Sequence, residues 1–276
     1  MATNLTTNVP AAWRPDTTAY APGDVVGDAL LLAASTVVGT IEGDEPSVRV
    51  PYVSDDGTPA FVDEGDTFGD PGQVFSEAVI STFKLGALGK YSRELLAQPE
   101  AATSVSQSLS RAITKKANSA FIGNASDPTG LLNASIHDGG TVGSNLDELV
   151  DAVAHIESNG GAATHLIAHP TAWATLSKLK TGTSSEQNLL GAGVEAGQRN
   201  ILGLPVLVDS NVSTGELLVV DKSAIVSAAG NVRLDRSEDA FFSADLVGVR
   251  IAWRIGWAVM HADRIVKVAV DDGTSS

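Results

Sequence analysis

One stretch of this chain, Ser92 to Asn133, restricts the possible folds more than any other. It reads SRELLAQPEAATSVSQSLSRAITKKANSAFIGNASDPTGLLN. Ala101, Val105, Leu109, Ile113, Ala117 and Phe121 recur four apart, with Ala102, Ala112 and Ala120 widening the same stripe. The spacing predicts a single amphipathic helix from Glu100 to Ile122, about 35 Å long at about 1.5 Å per residue. Pro99 fits its first turn, where a missing N–H leaves no bond unmade. Arg111, Lys115 and Lys116 fall in the second half, a placement expected to suit the negative end of the helix dipole, and Gly123 is expected to stop the helix. So long a helix needs a surface to lie on, and no catalytic pattern adjoins it.

The flanking segments are of other kinds. Residues 1–43 read as an extended arm, broken by Pro10, Pro15 and Pro22, with one short helix over Asp24 to Ala34. From Pro46 the pattern turns to strands: Val48, Val50 and Tyr52 alternate on the way out, and Val74 to Phe83 supplies β-branched and aromatic residues on the way back. Between them Ser54 to Gly72 carries Asp55, Asp56, Asp63, Glu64, Asp66 and Asp70 without a single Lys or Arg. A structureless insertion of this length is usually functional or disordered. Two readings stand: a solvated acidic loop, or a hairpin arm that reaches another copy of the chain.

Beyond the long helix, Asn145 to Ser158 predicts a second amphipathic helix, His165 to Ala168 a short buried strand, and Pro170 the start of a helix bearing Trp173, Leu176 and Leu179. This alternation suggests a small α/β unit. Thr181 to Gly197 is polar and glycine-rich, as a mobile loop would be. Leu204 to Val208 and Glu216 to Val220 read as buried strands. Val249, Ile251, Trp253 and Ile255 share one face of a further strand, and Arg264 to Val270 adds another.

Several chemistries are excluded or poorly supported. There is no cysteine, so a disulfide framework, a cysteine zinc site and a thiol nucleophile are all absent. His165 and His169 are four apart, but the apolar Leu166-Ile167-Ala168 between them indicates a strand, which separates them too far to share a metal easily. Gly86 to Ser92 has glycines and a lysine but not the spacing of a phosphate loop, with Tyr91 where Ser or Thr must hold magnesium. No G-x-S-x-G or G-x-G-x-x-G pattern occurs, and no cofactor is implied. A net charge of −15 argues against a phosphate-gripping surface. The first residues lack a positive start followed by an apolar run, so neither a signal peptide nor a membrane span is expected.

Four blocks in order carry a family likeness. They are Ser92-Arg93-Glu94-Leu95-Leu96, the long helix and Asn118-Ser119-Ala120-Phe121-Ile122-Gly123 followed by Pro128-Thr129-Gly130-Leu131-Leu132; His169-Pro170-Thr171-Ala172-Trp173 with Leu176; Gly203-Leu204-Pro205-Val206 with Gly215 and Asp221; and Phe242, Asp245, Arg250 and Arg254. From Pro46 to Val270 the chain resembles the tailed-bacteriophage major capsid proteins of the Hong Kong 97 (HK97-like) fold. The resemblance implies an α+β chain with an N-terminal arm (1–43), an extended β-hairpin or E-loop (44–90), and a peripheral domain with a spine helix (91–137). It also implies an axial α/β domain (138–223) and a returning peripheral sheet (224–276).

By the same resemblance the chain would self-assemble into hexamers and pentamers of an icosahedral shell around double-stranded DNA, bound without sequence preference. It would form in the host cytoplasm and reside in the virion, with portal, decoration and separate scaffolding proteins as partners. Some family members join subunits through an E-loop lysine, but no lysine precedes Lys84 here, so that cross-link is not expected. The acidic tip is expected to lie over a neighbour's Arg111, Lys115 and Lys116. Ser184 and Gln187 would sit near the centre of a capsomer, unless 181–197 is an ordinary surface loop. The alternatives are an encapsulin-like compartment enclosing protein cargo and, in another class, a hydrolase assembled from distant Ser, His and Asp residues.

Overall fold

The computed structural model describes residues 18–41, 45–55, 57–182, 185, 187–190 and 199–271. The chain opens with β1 (Thr18–Tyr20), α1 (Pro22–Val25), α2 (Leu30–Ala34) and β2 (Thr36–Ile41). Next come β3 (Ser47–Asp55), β4 (Val74–Ser92), α3 (Arg93–Leu96) and α4 (Pro99–Gly123). A middle section holds β5 (His137–Val142), α5 (Asp147–Ser158), β6 (His165–Ala168) and α6 (Pro170–Lys178). The remainder is β-rich: β7 (Asn200–Ile201), β8 (Leu204–Val208), β9 (Glu216–Val220), β10 (Ile225–Gly230), β11 (Val232–Phe241), β12 (Leu246–Val259) and β13 (Ile265–Val270).

These strands form two sheets, with α4 lying between them. In the first, β12 pairs with β4 along one edge and with β11 and then β10 along the other; β1 and β2 flank that second edge. Period two explains the packing of β12. Val247, Val249, Ile251, Trp253, Ile255 and Trp257 face a core shared with Leu109, Ile113, Ala117 and Phe121 of α4, so the apolar stripe of the long helix is covered as its spacing requires. The opposite face of β12 alternates arginines with small residues, Gly248, Arg250, Ala252, Arg254 and Gly256, and at Gly256 a Cβ would lie 2.4 Å from the Ser81 carbonyl oxygen, so only glycine allows β4 this close.

The second sheet runs β5-β13-β9-β6-β8-β7. It is buried on both faces, which accounts for the uninterrupted apolar runs in β6 and β9. Leu218 and Val220 face the α4 core; Leu217 and Val219 face a second core with Leu149, Ala152 and Ile156 of α5 and Leu176 of α6.

Four expectations are corrected. The helix expected over Asp24 to Ala34 is two short ones, interrupted at residues 26–29. The return strand does not end at Phe83 but continues to Ser92, because β12 supplies hydrogen-bonding partners from Thr82 onward. β13 does not join the sheet expected for 224–276; it pairs with β5 and β9. No basic residue lies in the last turn of α4, so the cations at 111, 115 and 116 lie beyond the short reach of its dipole.

Candidate assembly surfaces

The hairpin follows from how β4 is shared. Its second half pairs with β12 inside the first sheet, whereas residues 74–81 pair only with β3. The two strands thus leave the sheet as a ribbon. Arg254 fixes the point of departure: one guanidinium nitrogen donates to Thr82 Oγ1 at 2.8 Å, to the Thr82 carbonyl at 3.3 Å and to the Glu45 carbonyl at 3.1 Å. A two-stranded ribbon alone is marginally stable in water.

The tip over residues 57–73 has no strand or helix. It is closed by Thr58 N–H donating to the Pro71 carbonyl at 2.9 Å and by Gly72 N–H donating to Asp70 Oδ1 at 2.9 Å. Asp63, Glu64, Asp66 and Asp70 are exposed and, among the described residues, make no ion pair. Asp55 ends β3, and Asp56 lies outside the described residues.

Charge is only half of this surface. Phe61 is fully exposed, Phe68 is 85% exposed and Phe75 72% exposed, beside exposed Val74 and Val79. Burying one such side chain is worth about 1.5–3 kcal/mol, and an apolar surface left to water on this scale marks a contact site. The residue counts missed these positions because they followed the acids. The usable signal was that four of the seven phenylalanines, Phe61, Phe68, Phe75 and Phe83, fall in one loop-bearing segment.

On α4, Arg111, Lys115 and Lys116 are exposed and, among the described residues, make no ion pair. The structure does not treat them alike. Arg111 and Lys115 border a cleft of about 300 Å³ where the α1–α2 segment and the β8–β9 turn meet the helix; Lys116 does not. Asn118 ties the three parts together. Its Oδ1 accepts from Leu30 N–H at 2.9 Å, and its Nδ2 donates to Asp209 Oδ2 at 2.9 Å.

Of the pair expected near a capsomer centre, Ser184 lies outside the described residues. Gln187 is exposed; its N–H donates to Ser185 Oγ at 3.1 Å and its carbonyl accepts from Thr181 N–H at 3.0 Å.

Other conspicuous residues have local structural partners. Ser92 caps α3 by accepting from Leu95 N–H at 3.2 Å, and Arg93 pairs with Asp245 at 2.7 Å and Glu238 at 3.3 Å, fastening the start of the helical region to β11 and the turn after it. Asp221, 2% exposed, accepts from Ser223 N–H and Oγ at 2.8 Å each and from Ala162 N–H at 3.3 Å. His169 caps α6 by accepting from Thr171 N–H at 3.1 Å. Burial, and then the nearby Lys222 charge, push the His165 pKa below its ordinary 6.5.

This architecture recurs in solved structures. A chain from Gordonia phage Cozz superposes with a TM-score of 0.70 at 16% identity, covering 97% of this chain and 92% of that one. One from Microbacterium phage Oxtober96 gives 0.68 at 15%, covering 98% and 96%. A chain from the capsid of an empty GTA particle computed with C5 symmetry gives 0.66 at 19%, covering 96% and 99%. No curated protein matches the chain. The model of the phage capsid family matches residues 30–270, nearly the whole of both sheets, the hairpin and α4. With that match and the shared architecture, the chain belongs to the phage capsid family and has an HK97-like fold.

Proposed function

We propose that this chain is the repeating subunit of an icosahedral shell, that it assembles as hexamers and pentamers, and that the shell encloses double-stranded DNA. The observation that carries the assembly reading is the hairpin. Phe61, Phe68 and Phe75 are left uncovered by their own subunit, on a ribbon too slight to stand alone. A second copy of the chain would cover them, and closed symmetry would repeat the contact at every subunit. The role of the protein is then structural.

The charge supports the enclosed DNA. At −15 per subunit, a wall surrounding a polyanion would hold it without adhering to it. Since the tip has no lysine, its contacts would be non-covalent. Acidic residues 63, 64, 66 and 70 would lie over cations of a neighbouring α4, and segment 181–197 would come near the centre of a capsomer. A portal and a separate scaffolding protein would complete assembly.

The purified chain, examined by sedimentation and electron microscopy, should form closed particles of megadalton size. A species of only one to a few chains under all assembly conditions would count against the shell. Particles formed in a phage-producing host should contain nuclease-protected double-stranded DNA; protein cargo in its place would indicate a compartment of the encapsulin kind.

A further inference from the structure

Two surfaces on this chain match in chemistry but do not meet within one subunit. The first is the tip segment Asp66-Thr67-Phe68-Gly69-Asp70, in which an aromatic ring is flanked at two-residue spacing by carboxylates. Residues two apart line one side of an extended chain, and residues 66–73 contain neither helix nor turn. Phe68 is 85% exposed, so the tip does not occupy its own subunit's cleft. The second surface is the cleft beside α4. Val25 and Val26 give it an apolar side, and Arg111 and Lys115 give it two cations without ion-pair partners among the described residues.

We infer that the Asp66–Asp70 segment docks into the Arg111/Lys115 cleft of a second copy of this chain, with Phe68 entering the cleft and Asp66 and Asp70 meeting the two cations. The inference rests on the shell reading and adds the seat of the hairpin.

Size and reach are consistent. A cavity of about 150 Å³ accepts a benzene ring, so a cleft of about 300 Å³ takes a phenyl group with space for flanking polar groups. Asp66 to Asp70 spans at most about 13 Å when extended. Arg111 and Lys115 are one turn apart, about 6 Å along the helix, and their flexible stems make up the difference.

The acids bordering the cleft do not oppose this equally. Both carboxylate oxygens of Asp209 already accept hydrogen bonds, Oδ1 from Asn211 N–H at 2.8 Å and Nδ2 at 2.6 Å, and Oδ2 from Asn118 at 2.9 Å. Asp28 is exposed and is the charge that an incoming carboxylate must pass. Phe61 is a poorer fit, since its nearest acids, Asp63 and Glu64, lie on one side only.

The absence of cysteine gives a clean test. Asp66→Cys copies are mixed with Lys115→Cys copies, assembled, and treated with a short bifunctional thiol cross-linker, whose span replaces that of the lysine stem. Cross-linked pairs should appear in the mixture, but neither in particles of either variant alone nor with Glu157→Cys as partner. Particles that form normally yet give no more linkage than the Glu157→Cys control overturn the seat and leave the shell reading standing. Failure of the unaltered chain to form particles would instead strike that reading.

If the cysteine copies do not assemble, charge reversal decides. Asp66→Lys and Lys115→Asp should each reduce particle yield at least about ten-fold, the low end for losing one well-packed anchor. The two changes together should restore yield, and no restoration overturns the seat.

Discussion

Single side chains here do most of their work by joining segments distant in sequence. Trp253, fully buried, donates its indole N–H to the Gly230 carbonyl at 2.9 Å, bracing the bend where β10 passes into β11. Trp257 donates to the Thr129 carbonyl at 2.9 Å and meets Phe121 edge to face at 5.6 Å, so one residue of β12 holds both α4 and the loop after it. His165 offers a test through pH. Its pKa is lowered in the folded chain, so the unfolded chain binds more protons as pH falls, and its neutral form supports folding. Stability should therefore decline as pH drops through 6.5, and His165→Asn should flatten that decline in thermal unfolding scans between about pH 7.5 and pH 5. The stacked rings of His137 and His155, 3.7 Å apart, persist in both proteins, so the difference between the curves isolates His165. Identical slopes would show that the burial of His165 has no thermodynamic consequence.

At the scale of elements, α4 and β4 each divide between the core and an exposed surface. The buried side of α4 includes Leu109, Ile113, Ala117 and Phe121, while Arg111, Lys115 and Lys116 face outward. Phe121→Ala removes a ring from the core without touching those cations. It should lower stability by about 3–5 kcal/mol, read as a drop in the urea midpoint of unassembled subunits. A change of less than about 1 kcal/mol would mean that the site collapses around the deletion. β4 divides its length instead of its faces: one half is core sheet, and the other is the ribbon that carries the tip. The periodicity of α4 was legible because a helix packed on one side shows its stripe. The second half of β4, Lys84 to Ser92, was not, since Leu85-Gly86-Ala87-Leu88-Gly89 has little β-branched character and is a strand because β12 pairs with it.

Over the whole molecule, two sheets share a core with one face of the long helix, and the last strand crosses from the first sheet to the second. That crossing ties the two layers together, since β12 lies at the centre of one sheet and β13 sits within the other. Among the described residues no helix is long and apolar enough to cross a membrane. Strength in the assembled state would come from repeated burial, since exposed ion pairs contribute only about 0–1 kcal/mol each. With no lysine at the tip, particles boiled in detergent should release single chains on a denaturing gel. A ladder of linked chains would reveal a covalent bond formed elsewhere.

From sequence alone came the long helix, the buried strands, the acidic tip and the family likeness. Each is written in local spacing or residue type, and spacing survives without knowledge of neighbours. Only the tertiary structure decided that β13 belongs to the second sheet, that Arg111 and Lys115 share a cleft while Lys116 does not, and that Phe61, Phe68 and Phe75 go uncovered. Strand pairing, cleft formation and exposure depend on which distant segments pack together. A phenylalanine in a core and one held out in water are the same letter until that packing is known.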